Sequence, residues 1–261
     1  MAIDSSRFDD LPVPATISVW LGEPGRASTY THAADRIHYA ASTMKLPLLV
    51  AAHRRHNRGE LDLDATVAVH NVHRSAYDGS HFALDQRDDQ DDETWALIGS
   101  TATLRDLARH AIVKSGNLAT DLLLDHVGTH EVAAVLRDAG CSPATVLARG
   151  IGDVAARDAG LENLVTAADL ALVIGAVTPD VERVLAAQEH RDQIPAGLPQ
   201  GSYVANKTGW VDGVAHDVAL VRPEDHPAYV LVVCHTEDKD EDSLYADNAA
   251  VSAAVWERWT A

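Results

Sequence analysis

The chain has 261 residues, 46% of them hydrophobic, and a formal net charge of −18 at pH 7. That length allows one large core or two lobes, and that charge repels phosphate, which excludes nucleic-acid recognition through a basic surface. The two cysteines, Cys141 and Cys234, form no CxxC and suggest no disulfide framework, so both read as buried thiols.

The opening MAIDSSRFDD is acidic and has no apolar core of a signal peptide. No apolar run approaches the ~20 residues that cross a bilayer. The expectation is a soluble, cytoplasmic chain with no membrane partner. ATISVWL alternates and is rich in β-branched residues, which predicts a strand. The turn GEPG follows, and RASTYTHAADRIHYA reads as one or two further strands. Met44, Leu48, Val50 and Ala51 then mark a mostly apolar helix that stops at Gly59. GELDLDATVAVH reads as a short strand or turn, and the biased segment from Asp85 to Glu93 as a solvated acidic loop without the ligand spacing of an EF-hand. From Leu104 to Val177 the pattern is helical, with Thr103 and Thr166 as N-caps and Gly128 and Gly140 as stops. GSYVANKTGW, HDVALVRPE and PAYVLVVCHTE are three strands at hairpin spacing, and SLYADNAAVSAAVWERWT is a final amphipathic helix.

Strands at both ends with helices between them predict an α/β fold of the α+β kind. One antiparallel sheet is built from both chain ends and the C-terminal helix, and an all-helical lobe is inserted into it. The whole chain forms a single domain, with a sheet lobe over about 1–58 and 190–261 and a helical lobe over about 59–189. The cleft between the lobes is the expected site.

Three short motifs occur in one order. Ser42-Thr43-Met44-Lys45 is S-x-x-K, Ser115-Gly116-Asn117 is S-x-N, and Lys207-Thr208-Gly209 is K-T-G. The chain has only four lysines, and two of them stand in these motifs. A lysine entering an apolar helix one turn after a serine requires a reason, and the motifs together supply it. The set resembles that of the serine β-lactamase and penicillin-binding-protein superfamily, most closely its class A branch. The likeness in size and element order covers nearly the whole chain.

That resemblance implies a β-lactamase-like fold and an acyl-enzyme mechanism without metal or organic cofactor. Ser42 is the implied nucleophile and Lys45 its base, useful only when burial and a neighbouring cation keep it neutral. Lys207 supplies that cation. Ser115 carries a proton to the leaving group, Asn117 orients Lys45 and holds a substrate amide, and Thr208 with Lys207 meets a substrate carboxylate. Gly209 lets the acyl group approach the backbone. The N–H groups of Ser42 and Trp210 form the implied oxyanion hole. Gly116 departs from the aspartate usual at that place.

The family's loop glutamate, which activates the deacylating water, is expected where Arg149-Gly150-Ile151 stands. Asp153 is the nearest carboxylate and the candidate substitute, and Arg149 with Glu162 is either an ion pair pinning the loop or an exposed pair. The implied substrate is a small lactam, amide or ester with a carboxylate near the scissile bond. A D-Ala-D-Ala carboxypeptidase or esterase on the same scaffold, and a β-lactam-binding protein that turns over slowly, are the alternatives. The i,i+3 pairs His53/His56 and His70/His73 lack a third ligand, so no metal site is expected. His216 lies near the expected cleft without a role, and Trp95, Trp210 and Tyr77 are aromatic candidates for pocket or core.

Overall fold

A computed structural model describes residues 3–261. Its centre is a five-stranded antiparallel sheet in the order Ser28–His32, Ile17–Gly22, Tyr229–Thr236, Val214–Arg222, Tyr203–Val211. The first two strands come from one end of the chain and the other three from the opposite end, as the strand patterns predicted. Registers such as Ile17 with His235 and Gly209 with His216 fix which side chains share a face.

Both faces of the sheet are covered. Val230, Val232 and Cys234 belong to the core shared with the inserted helices, while Leu231 and Val233 belong to the core under the C-terminal helix Glu241–Trp259. That period of two in a nearly continuous apolar run is the pattern of a strand buried on both sides. The C-terminal helix is anchored by Trp259, whose ring packs 5.0 Å from Tyr229 and 6.1 Å from Phe8. Its indole N–H donates to the Pro227 carbonyl at 2.9 Å. Burying one such ring contributes on the order of 2–3 kcal/mol.

The inserted region differs from expectation in three respects. It is not all-helical: Thr66–Ala68 pairs with Thr101–Thr103, and His73–Arg74 with His81–Phe82. It contains an additional helix, Pro179–Ala186, with the Thr178 side chain as cap and proline in its first turn, a start signal readable in the sequence. The lobe boundaries also shift. The helix Lys45–Asn57 packs among Leu104–Val113, Asn117–Val127 and Thr129–Asp138, whereas Ala167–Gly175 lies on the sheet. One contiguous apolar core crosses from helices to sheet, so a cut at residue 58 or 189 divides a single packed unit. Thr103 and Thr166 cap their helices by accepting from the amides of Asp106 and Asp169, as predicted. Cys234 is buried, but Cys141 is only half-buried; both are free. Among the described residues, no helix is long and apolar enough to cross a membrane.

Candidate active site

Ser42 is not inside an α-helix. It lies in the 3₁₀ turn Ala41–Met44 that runs directly into the helix Lys45–Asn57. Ala41, immediately before it, has φ of +44°, in the region that residues with a Cβ seldom adopt. The first turns of the helix behind this turn are apolar, with Leu46, Leu48, Leu49, Ala51 and Ala52 fully buried. Lys45 is thereby carried into the interior at 1% exposure.

Its ammonium finds three oxygens there. Nζ donates to the Ser115 carbonyl at 2.6 Å, to Asn117 Oδ1 at 2.9 Å and to Ser115 Oγ at 3.4 Å. Lys207, also fully buried, donates to the same Ser115 Oγ at 3.0 Å and to the Thr208 carbonyl at 2.7 Å. Two amines from distant parts of the chain thus meet on one hydroxyl. Burial lowers the Lys45 pKa to about 7 against the partial opposition of Asp89, Asp121 and Asp91. Burial, and then the charge of Lys45, push Lys207 well below its ordinary value. Repulsion between two buried amines disfavours charging both at once.

The S-x-N turn is held in a demanding conformation. Ser115 has φ of +58° and no exposed surface. Asn117 begins the next helix, and its amide orientation follows from its partners: Oδ1 accepts from Lys45, while Nδ2 donates to the Asp88 carbonyl at 2.7 Å. One of the two amide protons of Asn117 is therefore engaged by the Asp88 carbonyl.

The acidic segment that holds Asp88 is mostly exposed, as expected of a solvated loop, but Asp89 and Asp91 turn inward. Asp89 accepts from the backbone N–H groups of Asn117 and Leu118, both at 2.8 Å, and from the Trp95 indole at 2.8 Å. Asp91 is buried and sits where a side chain at Gly116 would project: a Cβ there would lie 2.7 Å from its Oδ2. The glycine in S-x-N thus makes room for a carboxylate delivered from another segment. Nothing in a run of acidic residues marks which members turn inward, and this is why Asp89 and Asp91 were not legible as site residues.

Tyr203–Val211, which carries the K-T-G motif, is an edge strand of the sheet. A Cβ on Gly209 would lie 2.8 Å from the backbone nitrogens of both Ser42 and Thr43, so only glycine allows the strand this close to the Ala41–Met44 turn. Thr208 is buried with its hydroxyl unpartnered. Ser42, Asn117 and Trp210 together line a cavity of about 670 Å³, with Tyr39, Ile151 and Arg157 around them. Of the aromatic candidates, Trp210 lines this cavity, Trp95 packs against the core, and Tyr77 is exposed. His216 lies beneath, wholly buried, its Nε2 donating to the Tyr39 carbonyl at 2.9 Å.

The structure does not bring Asp153 to this cavity. It caps the short helix Val154–Asp158 by accepting from the Ala156 N–H at 3.0 Å, and its other oxygen accepts from the Ala76 N–H at 2.7 Å. Both oxygens are engaged by backbone donors and the residue has no exposed surface, so the expected base is instead a structural cap. Asp153→Ala should lower stability by about 2 kcal/mol, from a lost cap and an orphaned amide. The lifetime of any Ser42 adduct on the folded protein should stay unchanged within about twofold. Urea denaturation and intact mass spectrometry measure the two, and a lengthened adduct lifetime would restore Asp153 as the base.

Loop residue Ile151 does line the cavity, and its N–H donates to Asp121 Oδ1 at 2.9 Å. Burial raises the Asp121 carboxyl to about 6. Arg149 is buried and pins the loop, donating to the carbonyls of Leu161, Gly150 and Ile151 and pairing with Glu162 at 3.2 Å. At the same end of the strands as Trp210, two strands further in, His235, Glu237 and Asp247 bring ligand-type atoms within 4.8 Å of one another, but the Lys239 ammonium already bridges the two carboxylates at 3.0 and 3.2 Å.

Residues 9–259 match the family described as Beta-lactamase enzyme family. The chain belongs to that family. A beta-lactamase of Citrobacter koseri is 28% identical over 186 residues, 62% of this chain and 60% of that protein. Beta-lactamase Toho-1 of Escherichia coli is 26% identical over 182 residues, 60% of this chain and 59% of its own length. The matched stretch therefore spans less than two thirds of these curated relatives. Among solved structures, a mutant of the class A beta-lactamase of the last common ancestor of Gram-negative bacteria superposes with a TM-score of 0.77 at 24% identity, covering 98% of both chains. PBP-A superposes with a TM-score of 0.76 at 20% identity, covering 98% of this chain and 94% of its own. A mutant of PBP-A has been solved as an acyl-enzyme complex with penicillin G, with a TM-score of 0.75 at 20% identity over 94% of this chain and 90% of that one. At these identities the structures establish a shared beta-lactamase fold.

Proposed function

We propose that this member of the beta-lactamase family is a serine hydrolase that opens a lactam, amide or ester through an acyl-enzyme on Ser42. The observation that carries this reading is the pair of buried amines on the Ser115 hydroxyl, joined through Asn117 to the cavity that Ser42 lines. Neutral Lys45 takes the Ser42 hydroxyl proton as the oxygen attacks the carbonyl carbon. The N–H groups of Ser42 and Trp210 receive the developing oxyanion. Ser115, backed by Lys207, passes a proton to the departing nitrogen or oxygen, and water then cleaves the ester. The unpartnered Thr208 hydroxyl beside Lys207 supports a substrate that bears a carboxylate.

A second reading rests on a specific observation. From the loop, Ile151 and Arg157 reach the cavity, and neither is a carboxylate. Acylation proceeds without such a base, but hydrolysis of a stable acyl-enzyme is slow without it. A protein that binds β-lactams covalently and releases them slowly fits that feature, as does a D-Ala-D-Ala carboxypeptidase or esterase whose acyl group leaves more readily.

Incubation with benzylpenicillin, a D-Ala-D-Ala peptide and an activated ester, followed by intact mass, separates these readings. A transient adduct with product supports the hydrolase, and a persistent benzylpenicillin adduct supports slow release. If no probe gives an adduct that Ser42→Ala abolishes, the function is wrong.

A further inference from the structure

The segment Gln188–Gln193 is not part of any recognised motif, yet it grips the strained turn that presents Ser115. The Glu189 N–H donates to the Val113 carbonyl at 3.1 Å. His190 Nε2 lies 3.1 Å from the Lys114 carbonyl, and because a carbonyl only accepts, Nε2 carries the proton in either charge state of the ring. The Lys114 ammonium in turn bridges Glu189 at 3.1 Å and Glu93 at 3.2 Å, tying the segment to the acidic stretch on the other side of the turn. The His190 ring is itself fixed, with its centroid 4.7 Å from that of Trp210. Its backbone N–H donates to Gln188 Oε1 at 3.3 Å. One histidine therefore touches the residue before Ser115 and the residue after the K-T-G motif, the two places from which proton delivery and oxyanion binding come.

We propose that His190 is a positioning residue for acyl transfer, holding the Lys114 carbonyl, and through it Ser115, in register with the Trp210 strand. This rests on the Ser42 acyl-enzyme reading. The physical reason is the cost of the turn. A non-glycine residue at φ of +58° persists only where its surroundings over-determine it. The carbonyl immediately before Ser115 would lose a specific anchor without the imidazole. A displacement of Ser115 by a fraction of an ångström moves its hydroxyl relative to both amines, and such displacements cost rate more than binding.

Two substitutions separate the hydrogen bond from the ring. His190→Phe keeps an aromatic face for Trp210 and removes the donor, whereas His190→Gln keeps an N–H donor and removes the ring. Stopped-flow acylation by benzylpenicillin would give the acylation rate constant and the dissociation constant of the non-covalent complex. In His190→Phe the rate constant should fall about tenfold while the dissociation constant stays within about twofold. His190→Gln should recover most of that loss. A merely structural role would move stability, measured by urea denaturation, without this split and without the rescue. The proposal is overturned if His190→Phe acylates within about twofold of the unsubstituted protein, or if His190→Gln is as slow as His190→Phe. Absence of any Ser42 adduct in the unsubstituted protein overturns the function itself, and the proposal with it.

Discussion

Replacing Lys45 with methionine should slow acylation of Ser42 by about 10² to 10⁴-fold, the usual worth of a positioned general base. Methionine fills a similar apolar volume without an amine, so the loss reports on chemistry more than on a cavity. In the unsubstituted protein the same group sets the pH dependence. Lys45 is useful only when neutral, and burial has brought its pKa to about 7. Below that value it holds its proton and cannot accept another; above it the amine is free. The acylation rate should therefore rise from about pH 6 to pH 8, with its midpoint near the Lys45 value. An ordinary lysine would still be protonated across that window and would give no rate there. Stopped-flow acylation by benzylpenicillin across the pH range would measure the profile. A flat profile, or a Lys45→Met variant within about tenfold of the unsubstituted rate, would remove Lys45 from the mechanism.

The sheet, the order of the helices and the three motifs were legible because each rests on a local pattern. The alternation of ATISVWL, the threonines before Leu104 and Ala167, and the lysine scarcity need no knowledge of what lies across the fold. What was not legible depends on tertiary placement. Asp153 follows Ile151 by two residues and is a reasonable base in one dimension, yet the chain turns so that its carboxylate caps a helix and holds the Ala76 amide. Asp89 and Asp91 look like solvent-facing charge in an acidic run, but they enter the site as the cap of the Asn117 helix and as the carboxylate beside Gly116. His190 stands in a stretch with no periodicity, and only the folded chain sets it against Trp210 and the Lys114 carbonyl. Buried charges are the hardest elements to foresee, because their partners come from distant segments and their cost is offset only by complete hydrogen bonding.

Ile151→Glu should shorten the lifetime of a benzylpenicillin adduct on Ser42, by about 10 to 100-fold, because it supplies the base that the loop lacks. Position 151 already lines the cavity with Ser42, so a carboxylate there needs no new backbone path. The obstacle is electrostatic. The Ile151 N–H is held by Asp121, a buried carboxyl already raised to about 6 by its surroundings. A second carboxylate beside it is pushed toward its neutral form, and a neutral acid cannot take a proton from water. Asp121→Asn keeps the oxygen that accepts the loop N–H and removes the competing charge. The double variant Ile151→Glu/Asp121→Asn should therefore deacylate faster than Ile151→Glu alone. The gain stays short of a native base because neither substitution builds a supporting shell around the new carboxylate. Adduct decay followed by intact mass gives all three rates side by side. If both variants hold the adduct as long as the unsubstituted protein does, the missing glutamate is not what limits turnover, and the water must be activated from the Lys45 side of the cleft.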